Sequence, residues 1–192
     1  MSESATKKSR EESFVVYLEK LAEKEDRAAL AALRRSLGKS PGEAADAHRY
    51  VLPFSPAIWE EPAYYLVAGL FALHPANWRK EEGDNRQTNF GASFAWLQSQ
   101  VDSDSIEKRF VALLDCHEDD LAEHLRHAVS LLRSKEVPVD WVQLLRDLRN
   151  WNHEDRFVQR NWARAFWGGG QSKNANSADG NSAESASTNS AN

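Results

Sequence analysis

Apolar side chains recur along this chain at intervals of three and four, the spacing that gathers residues on one face of an α-helix. Between Arg10 and Lys24 the face is Phe14, Tyr17, Leu18 and Leu21. Asp26 suits the cap of a second helix, with Leu30, Leu33 and Leu37 on its apolar line and Gly38 as its stop. KSPGEAADAH then reads as a loop or short turn, rich in small and turn-forming residues. Glu60 and Glu61 precede Pro62, which suits a helix's first turn. The helix from Pro62 to His74 is apolar nearly all round, which predicts a central position. Pro75 ends it, and ANWRKEEGDNRQTN, without apolar period, predicts a mobile loop.

Phe90, Phe94 and Leu97 resume a helical face, and VDSDS breaks it, with candidate caps from Asp102 to Ser105. Ile106, Phe110, Leu113 and Leu114 predict one further helix, and Leu121, Leu125, Ala128, Val129 and Leu132 another. After KEVPV, Asp140 and Gln143 have capping-box spacing, followed by Trp141, Leu144, Leu145, Leu148 and Trp151 on one face. A last helix is expected from about Asp155 to Trp167, ended by the glycines at 168–170. The pattern shows no alternating strand run and no clear repeat. The expected fold is all-α: a flexible N-terminus (1–9), an N-terminal helical bundle (10–101) and, across a short linker, a C-terminal helical bundle (102–167). The polar segment 168–192 has no large apolar side chain to bury and is expected to be disordered.

Composition narrows the class. At 192 residues the chain suits one or two small domains and can bury a core without staples. The lone Cys116 excludes an intramolecular disulfide and fits a reducing compartment. MSESATKKSREES lacks the apolar stretch of a signal peptide, and AYYLVAGLFALH is too short to span a bilayer. A cytoplasmic protein is expected. The net charge of −5 gives no support for nucleic-acid binding, although a local basic stripe matters more than the total.

Catalytic chemistry finds little footing. DCHEDDLAEHLRH offers His117, Asp120 and His124 as a conceivable metal set for a hydrolase. The HExxH pattern fails, because Asp119, Asp120 and Leu121 follow His117-Glu118, and no paired CxxC closes a zinc site. Acids near a helix start are the simpler reading. Cys116 lacks an activating pattern, and phosphate-binding glycine loops and nucleophile elbows are absent from the sequence. The expectation is a protein that is not an enzyme, with no catalytic residue, cofactor or metal.

The stretch Asp140–Trp167 holds four of the seven tryptophans. Trp141, Trp151 and Trp162 fall at core phases and predict anchors between helices. Arg156, Arg160 and Arg164 recur at every fourth residue as one stripe; Trp167 falls near that side or beyond a frayed helix end, and spacing leaves its role open. Arg126 and Arg133 share a face with Ser130 between them, and Lys135 follows. Arg146 and Arg149 lie off the Trp141–Leu145–Leu148 face. Such spacing lets guanidinium groups follow a phosphate chain. Solvated helix faces explain it as well, and on spacing alone that reading ranks first, for Arg34 and Arg35 before Gly38 too.

The order of several blocks adds a resemblance. ALRRSLGKSP (32–41), LVAGLFALHP (66–75), NFGASFAWL (89–97), EKRFVALLD (107–115), HLRHAVSLLRSKEVPVDWVQLLRDLRNW (124–151) and VQRNWARAFW (158–167) succeed one another. Together they resemble the CasB family, the small subunit of the type I-E CRISPR surveillance complex, Cascade. The resemblance covers the chain apart from its first dozen residues and the polar tail. It implies a non-catalytic subunit of antiviral defence, present as two copies, beside the crRNA-bearing backbone subunits and in contact with the large subunit. It implies contacts to nucleic-acid backbone that help hold the crRNA–target DNA heteroduplex and the displaced non-target strand of an R-loop. The matching blocks nominate Arg34, Arg35, Arg109, Arg126, Arg133, Lys135, Arg146, Arg149, Arg156, Arg160 and Arg164 for those contacts. A helical adaptor that binds only proteins is the main alternative.

Overall fold

Ser9 opens the first helix with a reciprocal cap. Its hydroxyl accepts the Glu12 backbone N–H at 3.2 Å, and the Glu12 carboxylate accepts the Ser9 N–H at 3.0 Å. Helix α1 (Arg10–Glu23) follows and buries Phe14, Val15, Leu18 and Leu21. A computed structural model describes residues 8–78, 88–101 and 103–168 of the chain. Asp102, the centre of the expected loop at 76–89, most of the expected flexible N-terminus and all but the first residue of the expected tail lie outside the described residues.

The helices follow the apolar spacing closely. Asp26 caps α2 (Arg27–Arg35), accepting the Ala29 N–H at 2.9 Å. The chain then turns at Gly38, where φ of +79° suits a residue without Cβ. The expected loop holds two 3-10 turns, Pro41–Glu43 and Ala45–Ala47, and leads into the single-turn α3 (His48–Val51). Helix α4 (Glu61–Leu73) ends at His74, whose φ of −145° and ψ of 84° leave the helical region because Pro75 follows. Asn89 caps α5 (Phe90–Gln100), accepting the Ala92 N–H at 3.0 Å. Then come α6 (Asp104–Asp115), α7 (Glu118–Ser134), α8 (Trp141–Leu148) and α9 (Phe157–Gly168). The fold is all-α; one isolated parallel bridge, Asn77 to Val139, is the single β pairing among the described residues.

Helix α4 is central, as its all-round apolarity predicts. It packs against α1, α2, α7 and α8, and buries Tyr64, Tyr65, Val67, Leu70 and Phe71. Gly69 lets α2 approach: a Cβ there would lie 2.6 Å from the Leu37 side chain. Helix α5 packs chiefly on α9, beyond the expected division at 101/102, and also meets α6 and α7. Gly91 permits that contact, because a Cβ would lie 2.0 Å from the Trp162 carbonyl oxygen. The tryptophans lock the middle. Trp141 is buried edge-on to Phe71 and donates its indole N–H to the Ala76 carbonyl at 3.0 Å. Trp162 is buried between Phe90 and Trp151.

Two local expectations change. The Asp140–Gln143 box is half made: Asp140 accepts the Gln143 N–H at 2.9 Å, but the Gln143 amide reaches forward to Asp147 at 2.8 Å. Helix α9 begins at Phe157, two residues later than expected, because Arg156 sits at φ +47° outside the helical region.

Candidate nucleic-acid interface

Helix α7 turns Leu125, Val129 and Leu132 into the core, which leaves Arg126, Ser130 and Arg133 exposed on the opposite side. The Ser130 hydroxyl is committed to the Arg126 carbonyl at 2.9 Å. Lys135 closes the helix as its C-cap, beside carbonyls that favour cations. No ion pair engages Arg126, Arg133 or Lys135 among the described residues.

Three concavities adjoin across α2, α7 and α6. A cleft of about 130 Å³ is lined by Arg35, Ser36, Lys39 and Asp46, among others. Ser36 and Lys39 also wall a groove of about 880 Å³, which continues past Pro62 and Tyr65 to Arg126 and His127. His127 in turn walls a third pocket, of about 190 Å³, with Arg109 and His124. Shared walls thus join Arg35, Lys39, Arg126 and Arg109 into one run. It is not uniformly basic: Glu118, Asp119 and Glu123 line the groove near the start of α7. Arg35 reaches Asp46 at 3.5 Å across two well-exposed side chains, a contact worth little in water. Arg34 donates its Nε–H to the Leu30 carbonyl of its own helix at 3.2 Å.

Other nominated arginines are engaged by groups of the chain itself. Arg146 bonds the Ser9 hydroxyl and the Glu12 carboxylate, both at 3.1 Å, and so ties α8 to the cap of α1. Arg149 pairs with Glu11 and also with Glu60 at 2.9 Å, joining three segments at a half-buried point. Burial pushes the Glu11 carboxyl up, but backbone and Ser9 hydrogen bonds and the Arg149 and Arg146 charges outweigh it and hold it below its ordinary value. Glu12 is likewise held low, first by the Ser9 backbone N–H and then by Arg146. Arg146 and Arg149 thus lie off the core face of α8, but acidic partners from α1 and the start of α4 engage both guanidinium groups.

The expected stripe on α9 is shorter than its spacing suggests. Arg156 precedes the helix and donates to the Leu114 carbonyl at 2.5 Å. Arg160 and Arg164 remain exposed on α9, Arg164 with a long contact of 3.3 Å to Asn161. Trp167 finds its place at the same end. It is 43% exposed, donates its indole N–H to Glu107 at 3.1 Å, and lies edge-on to Phe110 and Phe166.

The conceivable metal set is not assembled. His117 Nδ1 lies 3.2 Å from Asp119 Oδ2, whereas His124 lines the pocket with Arg109. Among the described residues no group of three or more His, Cys, Asp or Glu side chains converges as a metal site. Burial raises the Cys116 thiol, and its Sγ lies 3.1 Å from the Leu113 carbonyl, which suits packing. No helix among the described residues is long and apolar enough to cross a membrane.

Sequence reasoning missed Lys39 and the pair His124 and His127 as members of this surface. Lys39 directly follows the positive-φ Gly38, and the two histidines are three residues apart on α7, one helical turn. Their meeting with Arg109 depends on how α6 lies against α7, which no local spacing encodes.

Comparison with known proteins fits this arrangement. Residues 29–167 match the family model of CRISPR-associated protein Cse2. A CRISPR-associated protein Cse2 from Thermus thermophilus is 40% identical over 167 residues, spanning 84% of this chain and 92% of its own length. The crystal structure of CasB from M. ruber superposes with a TM-score of 0.74 at 36% identity, over 89% of this chain and 99% of that one. A chain of a CRISPR RNA-guided surveillance complex superposes with a TM-score of 0.72 at 32% identity, over 85% of this chain and 97% of that one. The chain belongs to the Cse2 (CasB) family of CRISPR-associated proteins.

Proposed function

We propose that this protein is the non-catalytic small subunit of an RNA-guided CRISPR surveillance complex, and that it steadies the R-loop by holding nucleic-acid backbone. The partners are the crRNA–target DNA heteroduplex and the displaced strand, a second copy of the chain, and the backbone and large subunits of the complex. One observation carries the reading: Arg35, Lys39, Arg126 and Arg109 lie along adjoining concavities that share walls. Arg133 and Lys135 extend the exposed basic side of α7. A surface of spaced cations in a shallow run suits a phosphate chain, which offers one charge per nucleotide and carries no sequence code of its own.

The energetics suit a subunit with a net charge of −5. Guide pairing reads sequence, and strand exchange in an R-loop is nearly balanced, so modest phosphate contacts tip it. Tethering within an assembly supplies the local concentration that a weak surface lacks. A strongly basic chain would instead bind unrelated nucleic acid. Arg160 and Arg164 on α9 are secondary candidates, and Arg34 borders the run.

Crosslinking in the assembled complex tests this. A photoreactive group introduced at Lys39 or Arg126 is expected to capture DNA or crRNA once an R-loop forms. Crosslinks to protein only, from every position along the run, would favour the adaptor reading.

A further inference from the structure

Two tryptophans meet at the surface beside the C-terminal end of α7. Trp96 of α5 is 45% exposed, although Phe94 and Leu97 on either side of it are buried. Trp78 stands edge-on to it, with ring centroids 5.2 Å apart and planes at 79°. Both are braced against the segment that follows α7. Trp78 donates its backbone N–H to the Val139 carbonyl at 3.1 Å, and Ser93, one turn before Trp96, donates its hydroxyl to the Pro138 carbonyl at 2.7 Å. Arg133, Lys135 and Glu136, at the start of that segment, are all exposed. Trp141, Trp162 and Trp167 each donate their indole N–H within the chain. Among the described residues no hydrogen bond engages the indole of Trp78 or Trp96.

We propose that Trp96, backed by Trp78, is a stacking platform for an unpaired base of the displaced strand. A large aromatic ring left half in water forgoes burial that the core gives Trp141 and Trp162, and an edge-to-face pair uses only one face of one ring. The remaining faces are open to a flat partner. Every base has such a face, so stacking tolerates any sequence, as a strand of variable sequence requires. Charge selects the occupant. Arg133 and Lys135 outnumber Glu136 at this end of α7 and suit the phosphates on either side of a stacked base. The backbone bonds of Trp78 and Ser93 hold the platform in place before a base arrives, which lowers the ordering cost of binding. The inference rests on the proposed function for its strand, and adds a contact to the base itself where that function invokes only the backbone.

Two measurements on the assembled complex test it. With 5-iodouracil placed along the displaced strand, irradiation of the R-loop is expected to yield an adduct on Trp96 or Trp78, located by mass spectrometry. R-loop lifetime is then compared on an ordinary displaced strand and on one carrying abasic sites, which keeps every phosphate and removes the bases. Trp96→Ala is expected to shorten the lifetime about tenfold on the ordinary strand and to leave it unchanged on the abasic one, while Trp96→Phe retains most of the wild-type value. Absence of any adduct on either ring, or an equal effect of Trp96→Ala on both strands, overturns the platform. Loss of the subunit from the Trp96→Ala complex by native mass spectrometry also overturns it, and makes the pair a protein contact. If the platform fails while Arg126→Glu and Arg133→Glu still shorten the R-loop lifetime, the proposed function stands. If adducts form on Trp96 but those two reversals change neither lifetime nor salt slope, the platform stands and the backbone-holding reading fails.

Discussion

The indole N–H of Trp162 donates to Oδ2 of Asp147 at 2.6 Å, joining α9 to α8 through a hydrogen bond buried in the core. Gln143 donates to the other oxygen at 2.8 Å. Burial is the largest influence on this carboxyl and raises it from an ordinary 3.8 to about 6, against the pull of the two donors. The sign follows directly. Because the folded value lies above the unfolded one, the favourable contribution is fully present below 3.8 and is lost as pH rises through about 6. The melting temperature of wild type should therefore gain from this group on acidification across that window. Asp147→Asn should flatten the dependence in a pH series of thermal melts, and an unchanged profile would contradict the assignment. Asp147→Ala strands the Trp162 N–H and should cost about 1–3 kcal/mol in denaturant unfolding.

Arg149 makes a second prediction, because its two acidic partners leave it little freedom. Arg149→Ala leaves Glu11 and Glu60 facing each other at a half-buried point, and should cost about 2–3 kcal/mol, less than a fully buried pair would. Adding Glu11→Gln and Glu60→Gln should recover part of it. A melting temperature unchanged in Arg149→Ala, with a shortened R-loop lifetime, would return Arg149 to the phosphate-contacting set.

Gly91 is a third test, of the α5–α9 contact. A methyl group there meets the Trp162 backbone, which has no flexible end to move aside. Gly91→Ala should destabilise by about 3 kcal/mol, at the upper end of overpacking effects. A neutral result would mean that α5 and α9 stand farther apart.

The helices were legible because each carries its own apolar period, and because Asp26, Asp140, Pro62 and Pro75 mark ends by local chemistry. Trp141, Trp151 and Trp162 were legible as core for the same reason. The fate of the arginines was not. Arg146 and Arg149 look outward on a helical wheel, yet Ser9, Glu11 and Glu12 reach them from more than a hundred residues away in sequence. Arg156 has the right phase for the α9 stripe but a positive φ removes it from the helix. Trp167, unplaced by periodicity, is fixed by Glu107 on α6. Local spacing records which side of a helix a residue takes; only the packing of helices records what waits there.

Arg160 and Arg164 offer a fourth prediction that separates them from the main run. If they are secondary, Arg160→Glu with Arg164→Glu should shorten R-loop lifetime less than twofold, in complexes of unchanged composition by native mass spectrometry. A larger loss would move the centre of the interface to α9.

The most direct measurement is R-loop lifetime against salt in complexes reconstituted with Arg126→Glu and Arg133→Glu. Each lost phosphate contact should lower the salt slope by about 0.9 and shorten the lifetime at low salt, while the complex assembles with full stoichiometry. A fully assembled complex whose R-loop lifetime and salt slope both match wild type would contradict the account.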